Sequence, residues 1–191
     1  MSFVDECNIL LKAGNGGNGI VAWRREAHVP LGGPSGGNGG NGGNIILVGD
    51  HNENSLQNLR FLKKVVANNG ENGQIKNMHG KNGEDVRIKV PVGTMVYNKK
   101  DKQLICDIKQ HGQEVVVCYG GLGGHGNFHF KSGFNKAPSL YELGDLGESK
   151  ECHLVLKHLA DVGIIGLPNA GKSTFISKIS NAKPKIGNYQ F

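Results

Sequence analysis

The chain has 191 residues, 37% of them hydrophobic and 20% charged, with a formal net charge of +6. That length suits one full domain with part of a second, and the basic balance favours an anionic partner such as nucleic acid. Its 4 cysteines form no CxxC pair, which argues against a zinc ribbon or dithiol motif, and no stretch has a leader pattern or membrane-spanning length, so a soluble, cytoplasmic, reduced protein is expected.

In chain order, the first apolar run is Ile9-Leu10-Leu11, too short for a helix and read as a strand. Ile45-Ile46-Leu47-Val48, Leu104-Ile105-Cys106 and Val115-Val116-Val117 read the same way. Ser55 to Lys64 is the one weak helical candidate here, with Leu56, Leu59, Phe61 and Leu62 partly at helical spacing. Val86-Arg87-Ile88-Lys89-Val90 alternates apolar with basic, the pattern of a strand with one wet face, and Pro91-Val92-Gly93 breaks it. Leu154-Val155-Leu156 closes this first unit. The simplest assembly is an antiparallel β unit.

Between these runs lie most of the 31 glycines, about twice ordinary usage, and they have a period of three. Gly33, Gly36, Gly39 and Gly42 keep that interval, shadowed by Gly37, Gly40 and Gly43, and Gly120, Gly123 and Gly126 repeat it. Three residues per turn is the repeat of the left-handed polyproline II helix, and glycine at every third position leaves one edge bare, so that neighbours can approach closely. A glycine-packed bundle folded from one chain is expected. The same period explains away two GxGxxG matches, Gly14 to Gly19 and Gly121 to Gly126, because no helical pattern follows either.

From Leu154 the texture changes, and a β-loop-α unit begins near Leu159. Asp161-Val162-Gly163-Ile164-Ile165 reads as a buried strand, Thr174 to Ile179 as a helix, and Pro184 stops anything further. Between them, Gly166-Leu167-Pro168-Asn169-Ala170-Gly171-Lys172-Ser173 fits GxxxxGKS in full. Small residues let successive N–H groups point at phosphate oxygens while the helix N-terminus faces the same charge. Lys172 is the expected catalytic cation, reaching the β and γ phosphates, and Ser173 the expected magnesium ligand. Asp145-Leu146-Gly147 does not make a DxxG turn, since Glu148 holds the glycine position.

With these segments on the page, the chain resembles the Obg family of GTPases over essentially its whole length. The resemblance runs from Phe3-Val4-Asp5 through Ala13 to Gly19, Arg24-Arg25-Glu26 to Gly32-Gly33-Pro34, Lys81 to Asp85, Val90 to Thr94, and Gly120-Gly121-Leu122-Gly123. It implies an Obg fold over 1–158, mainly β, with glycine-rich left-handed helices on a small β-barrel, then the first β-loop-α unit of a Ras-like P-loop α/β domain over 159–191. It also implies magnesium-dependent GTP hydrolysis by a monomer, GTP or GDP being the bound nucleotide. The implied role is in large ribosomal subunit assembly, with links to growth and stress control, and the implied partners are rRNA and ribosomal proteins rather than a membrane.

Two departures accompany the resemblance. Asn15, Asn38, Asn41 and Asn44 stand where the family often has Asp, which removes negative charge and is expected to ease approach to RNA phosphates. The switch regions and guanine-reading motif are expected beyond Phe191, which itself matches the residue just before the switch I threonines and joins the nucleotide set. Three readings stay open: the front of a hydrolysing GTPase, a ribosome-docking module that does not turn over nucleotide, and a P-loop protein using ATP.

Two other constellations have competing readings. His125 and His129 are four apart, but the surrounding glycines argue against the helix that a metal pair would need. Trp23, Arg24 and Arg25, with Arg60, Lys63 and Lys64, are a candidate set for stacking on and neutralising rRNA, or else core and wet surface.

Overall fold

The computed structural model describes residues 5–24, 32–157, 164–167 and 171–179. The chain divides into two compact units, Met1–Lys157 and His158–Phe191. The first is mainly β. Its strands are β1 (Glu6–Lys12), β2 (Ile45–Asp50), β3 (Lys64–Val66), β4 (Val86–Pro91), β5 (Thr94–Asn98), β6 (Leu104–Ile108), β7 (Glu114–Cys118) and β8 (Ser149–Leu156), with one short helix, α1 (Gln57–Arg60), after β2.

The strands form two open sheets, ordered β3-β1-β8-β5-β6 and β4-β2-β7. Among the described residues no closed barrel is found, which corrects the small barrel implied by resemblance. Nor is the assembly purely antiparallel, because β1 pairs with β3, and β2 with β4, in parallel. Parallel neighbours need long crossovers. The glycine-rich stretches supply such length here.

Period-two alternation turns one face of each sheet into a shared core. Cys7, Ile9 and Leu11 from β1, Cys152, Leu154 and Leu156 from β8, and Val96 and Ile108 from β5 and β6 meet Ile45, Leu47, Ile88, Val90 and Val117 of the smaller sheet. Fully burying a Leu or Ile of this kind contributes about 1.5–3 kcal/mol. The wet face expected of β4 is present, with Ile88 and Val90 buried while Arg87 and Lys89 are exposed. After Pro91 the chain changes sheet: Gly93 adopts a φ of 92°, its N–H donates to Ile108, and the buried Thr94 hydroxyl donates to the Pro91 carbonyl at 2.7 Å.

The expected helix over Ser55 to Lys64 shrinks to Gln57–Arg60. Leu56 and Leu59 are buried, but Phe61 is 77% exposed, so the apolar spacing does not describe one face. Past Leu62 the chain is drawn into a sheet, the Leu10 N–H donating to Lys63 and Lys64 pairing beside β1.

The glycine stretches leave the sheets and pack on one another. Gly14 and Gly17 donate to Gly43 and Gly40, Gly16 and Gly19 to Asp145 and Glu142, Gly39 and Gly42 to Gly124 and Gly121, and Gly40 and Gly43 to Glu71 and Asn68, all at 2.8–2.9 Å. The donors recur every third residue, as the sequence period requires. Glycine is obligatory because these carbonyls occupy the space of a side chain: a Cβ on Gly39 would lie 1.9 Å from the Gly17 oxygen. Both GxGxxG segments belong to this packing, a Cβ on Gly16 meeting Leu122 O and one on Gly121 meeting Asp145 O.

Gly39→Ala is therefore expected to cost at least about 3 kcal/mol or prevent folding. Gly133→Ala, where an added Cβ meets nothing within 4 Å, should stay within about 0.5 kcal/mol of the parent. Urea midpoints measured on the two variants check this contrast.

Candidate functional site

The loop proposed from sequence lies in the second unit. Of its residues, Gly166, Leu167, Gly171, Lys172 and Ser173 fall among those described, while Pro168, Asn169, Ala170 and Phe191 lie outside them. The helix that follows, α2, spans Lys172–Ile179, two residues longer at its start than its apolar spacing suggested. Gly171 has a φ of 79°, and its carbonyl accepts the Phe175 N–H at 2.9 Å, so glycine forms the entry to the helix. No acidic residue stands in the first turn and Lys178 stands in the last. The positive end of the helix dipole is thus unopposed, and its negative end is matched.

Lys172 folds back along the loop. Its Nζ donates to the Gly166 carbonyl at 2.7 Å and to the Leu167 carbonyl, bringing the ends of the glycine loop together around one cation. The buried strand expected over Asp161 to Ile165 is not seen in its described part: Ile164 and Ile165 have no strand pairing, and Ile165 is 98% exposed. A parallel strand needs partners on both sides. None of the described residues provides them.

In the first unit the asparagines have a hydrogen-bonding role that the sequence did not disclose. Asn15 and Asn18 accept the Gly147 and Gly144 N–H groups through Oδ1, and Asn38, Asn41 and Asn44 accept those of Gly126, Gly123 and Gly120, at 2.8–3.0 Å. The backbone N–H groups of these same residues donate outward to Asn69, Asn72, His79, Asn82 and Asp85. These side chains are rungs of the bundle. An aspartate would present the same oxygen, so the exchange of Asp for Asn preserves a structural acceptor.

The candidate RNA-binding residues sit on separate segments. Arg60 at the end of α1, Lys63 in the link that follows and Lys64 at the start of β3 are all exposed. Trp23 lies 11 residues past the end of β1, half-buried, bridged to Pro34, and Arg25 lies outside the described residues. Trp23 instead lines an open groove with Gly33, Lys131, Ser132, Gly133, Lys136 and Ala137. Lys131 and Lys136 escaped the sequence reading because more than 100 residues separate them from the tryptophan. No local pattern signals the pairing.

His125 and His129 stack face to face without a helix, their ring centroids 3.8 Å apart and 7° from parallel. Among the described residues no group of three or more His, Cys, Asp or Glu is arranged to hold a metal ion. The cysteines are free, and burial pushes the thiols of Cys7, Cys106 and Cys118 up to about 11 and that of Cys152 to about 12. They stay protonated at neutral pH and are poor nucleophiles.

Comparison with known proteins fits this geometry. A family model described as GTP1/OBG matches residues 4–158. The chain belongs to the GTP1/OBG family. A second model, described as 50S ribosome-binding GTPase, matches residues 161–191. Family relatives named GTPase Obg include that of Ureaplasma parvum serovar 3, 63% identical over 191 residues covering 100% of this chain and 44% of that protein. That of Mycoplasmoides gallisepticum is 58% identical over the same 100% and 44%. That of Syntrophomonas wolfei is 53% identical over 189 residues, 99% of this chain and 45% of the relative. The chain thus spans less than half the length of these curated relatives. No helix among the described residues is long and apolar enough to cross a membrane.

One charged cluster of this Obg-family chain yields a pH dependence. Asp50, buried at the end of β2, accepts the Asn52 N–H and pairs with Lys89 at 3.0 Å, with His111 at 3.8 Å. The Asn52 hydrogen bond first, then Lys89, hold its carboxyl below the ordinary 3.8, against a smaller opposing effect of burial. A depressed folded-state pKa means stability present above the unfolded value and lost as pH falls through the folded one. Asp50→Asn should therefore lower the urea midpoint at pH 6, with the gap to the parent closing as pH drops below 3.8.

Proposed function

We propose that this chain is the nucleotide-binding front of an Obg-type GTPase, with Gly166 to Ser173 as the phosphate loop. The observation that carries this reading is Lys172 bridging the Gly166 and Leu167 carbonyls at the mouth of a helix without a carboxylate in its first turn. An anion fits that site: the dipole and the ammonium both favour phosphate, and Lys172 need exchange only carbonyl oxygens for phosphate oxygens. Leu167, Pro168, Asn169 and Ala170 would line the backbone cradle and Phe191 would border the nucleotide.

Ser173 is assigned to magnesium, which takes one or two hard oxygen ligands from protein and the rest from phosphates and water. The ion would supply charge neutralisation during phosphoryl transfer. Lys172 would stabilise the same charge from the protein side. Hydrolysis and base reading are assigned to the remainder of the relatives' length. Residues 1–158 and 159–191 are taken as the two domains, the glycine segments of the first as left-handed polyproline-II-like helices.

The docking partner of the first domain is proposed to be the large ribosomal subunit, in a cytoplasmic, monomeric protein acting in subunit assembly and growth or stress control. Support comes from the likeness of residues 161–191 to the 50S ribosome-binding GTPase family and from the groove that combines Trp23 with Lys131 and Lys136. An aromatic face beside two ammonium groups suits an unstacked base next to phosphates.

In the full-length protein, Lys172→Ala should weaken binding of a fluorescent GTP analogue at least about tenfold with unchanged circular dichroism. Parent-like affinity would remove the loop from the mechanism, and ATP competing as well as GTP would sink the guanine assignment. Lys131→Glu with Lys136→Glu should weaken binding to purified large subunits and lower the salt dependence by about two phosphate contacts. Unchanged binding and slope would detach the groove from RNA.

A further inference from the structure

The sequence contains seven Asn-Gly dipeptides, at Asn15, Asn18, Asn38, Asn41, Asn69, Asn72 and Asn82. We propose that these are latent deamidation sites which the native glycine bundle holds shut and unfolding opens together. In an Asn-Gly pair the glycine nitrogen attacks the asparagine Cγ, forming a C–N bond as the side-chain amide leaves as ammonia. Water then opens the cyclic imide at either carbonyl, giving aspartate or isoaspartate. Glycine is the most permissive following residue because it has no Cβ to obstruct the attack. Water is the co-reactant.

The structure engages both reacting groups at all seven positions. Each attacking nitrogen already donates: Gly16 to Asp145, Gly19 to Glu142, Gly39 to Gly124, Gly42 to Gly121, Gly70 to Asn15, Gly73 to Asn18 and Gly83 to Asn41, at 2.7–2.9 Å. Each attacked amide is also fixed by its oxygen. Asn15, Asn18, Asn38 and Asn41 accept from Gly147, Gly144, Gly126 and Gly123. Asn69, Asn72 and Asn82 accept from the N–H groups of Asn15, Asn18 and Asn41. Attack would require breaking two hydrogen bonds and rotating the glycine peptide into space that a neighbouring carbonyl fills.

The seven are not equivalent. Asn82 lies in the outlying stretch 78–85, hydrogen-bonded to two neighbouring segments, and Asn69 and Asn72 in 67–74, bonded to three, whereas Asn15, Asn18, Asn38 and the equally exposed Asn41 belong to 13–20 and 36–44, each bonded to four. Opening an outlying stretch breaks fewer contacts than opening a central one. The products differ as well. Aspartate retains the acceptor oxygen, so the rung survives. Isoaspartate routes the main chain through the side-chain carbon, adding an atom to a backbone whose contacts recur every third residue.

The test is peptide mapping by tandem mass spectrometry after incubation at neutral pH, with the chain either folded or in urea. In urea all seven sites should convert at comparable rates. In the folded protein the central four should be slower by at least about 100-fold, with the outlying three between. Central sites converting at the denatured rate while circular dichroism remains native would overturn the proposal. A second arm removes the urea and separates refolded from aggregated chains: isoaspartate at the central four should be confined to the aggregate, and its appearance in refolded protein would overturn the register argument.

Discussion

A glycine without a side chain leaves room for another strand's carbonyl oxygen, and the first unit depends on that vacancy being repeated every third residue. The oxygen of Gly17 stands where a Cβ of Gly39 would be, and that of Gly39 where a Cβ of Gly123 would be. Contacts this close bring N–H and C=O groups of adjacent segments within 2.8–2.9 Å, so the backbone hydrogen bonds left unmade by the absence of helix and sheet are made between segments. Asparagine completes the arrangement by accepting the remaining glycine N–H groups.

Two kinds of cohesion therefore meet in one unit. The sheets are held by apolar burial, with Leu11, Ile45, Val96 and Leu154 at 0% exposure. The bundle has little apolar interior and is held by hydrogen bonds whose geometry tolerates no added atom. A core can absorb a volume-conserving exchange by repacking. A backbone carbonyl against a glycine Cα has no rotamer with which to yield.

The glycine period was legible because it is a spacing, and the close packing it foretold is present. Strand cores at Ile9, Ile45, Val86, Leu104, Val115 and Leu154 were legible because alternation and β-branching mark them. What escaped was whatever depends on distant chain: the parallel pairing of β1 with β3, the division into two open sheets, and the approach of Lys131 and Lys136 to Trp23. The helix over Ser55 to Lys64 keeps only Gln57–Arg60 because an edge pairing at Lys64 outweighs propensity. The hydrogen-bonding role of the asparagines escaped because their partners are 41 to 132 residues away. In the second unit the glycine loop could be proposed from a pattern of residue types, while the strand expected to include Ile164 and Ile165 requires partners that no local pattern supplies.

The rung from Asn15 to Gly147 spans 132 residues. A ribosome synthesising this chain releases the acceptor long before the donor exists, and the segment 13–20 can satisfy only part of its bonding until the chain has been made up to Glu148, just before β8. Its early glycine runs must wait in water as hydrated, extended chain. Their scarcity of apolar side chains is then an advantage in time: a segment that waits for its partners across most of the unit's synthesis offers little for premature collapse to hold.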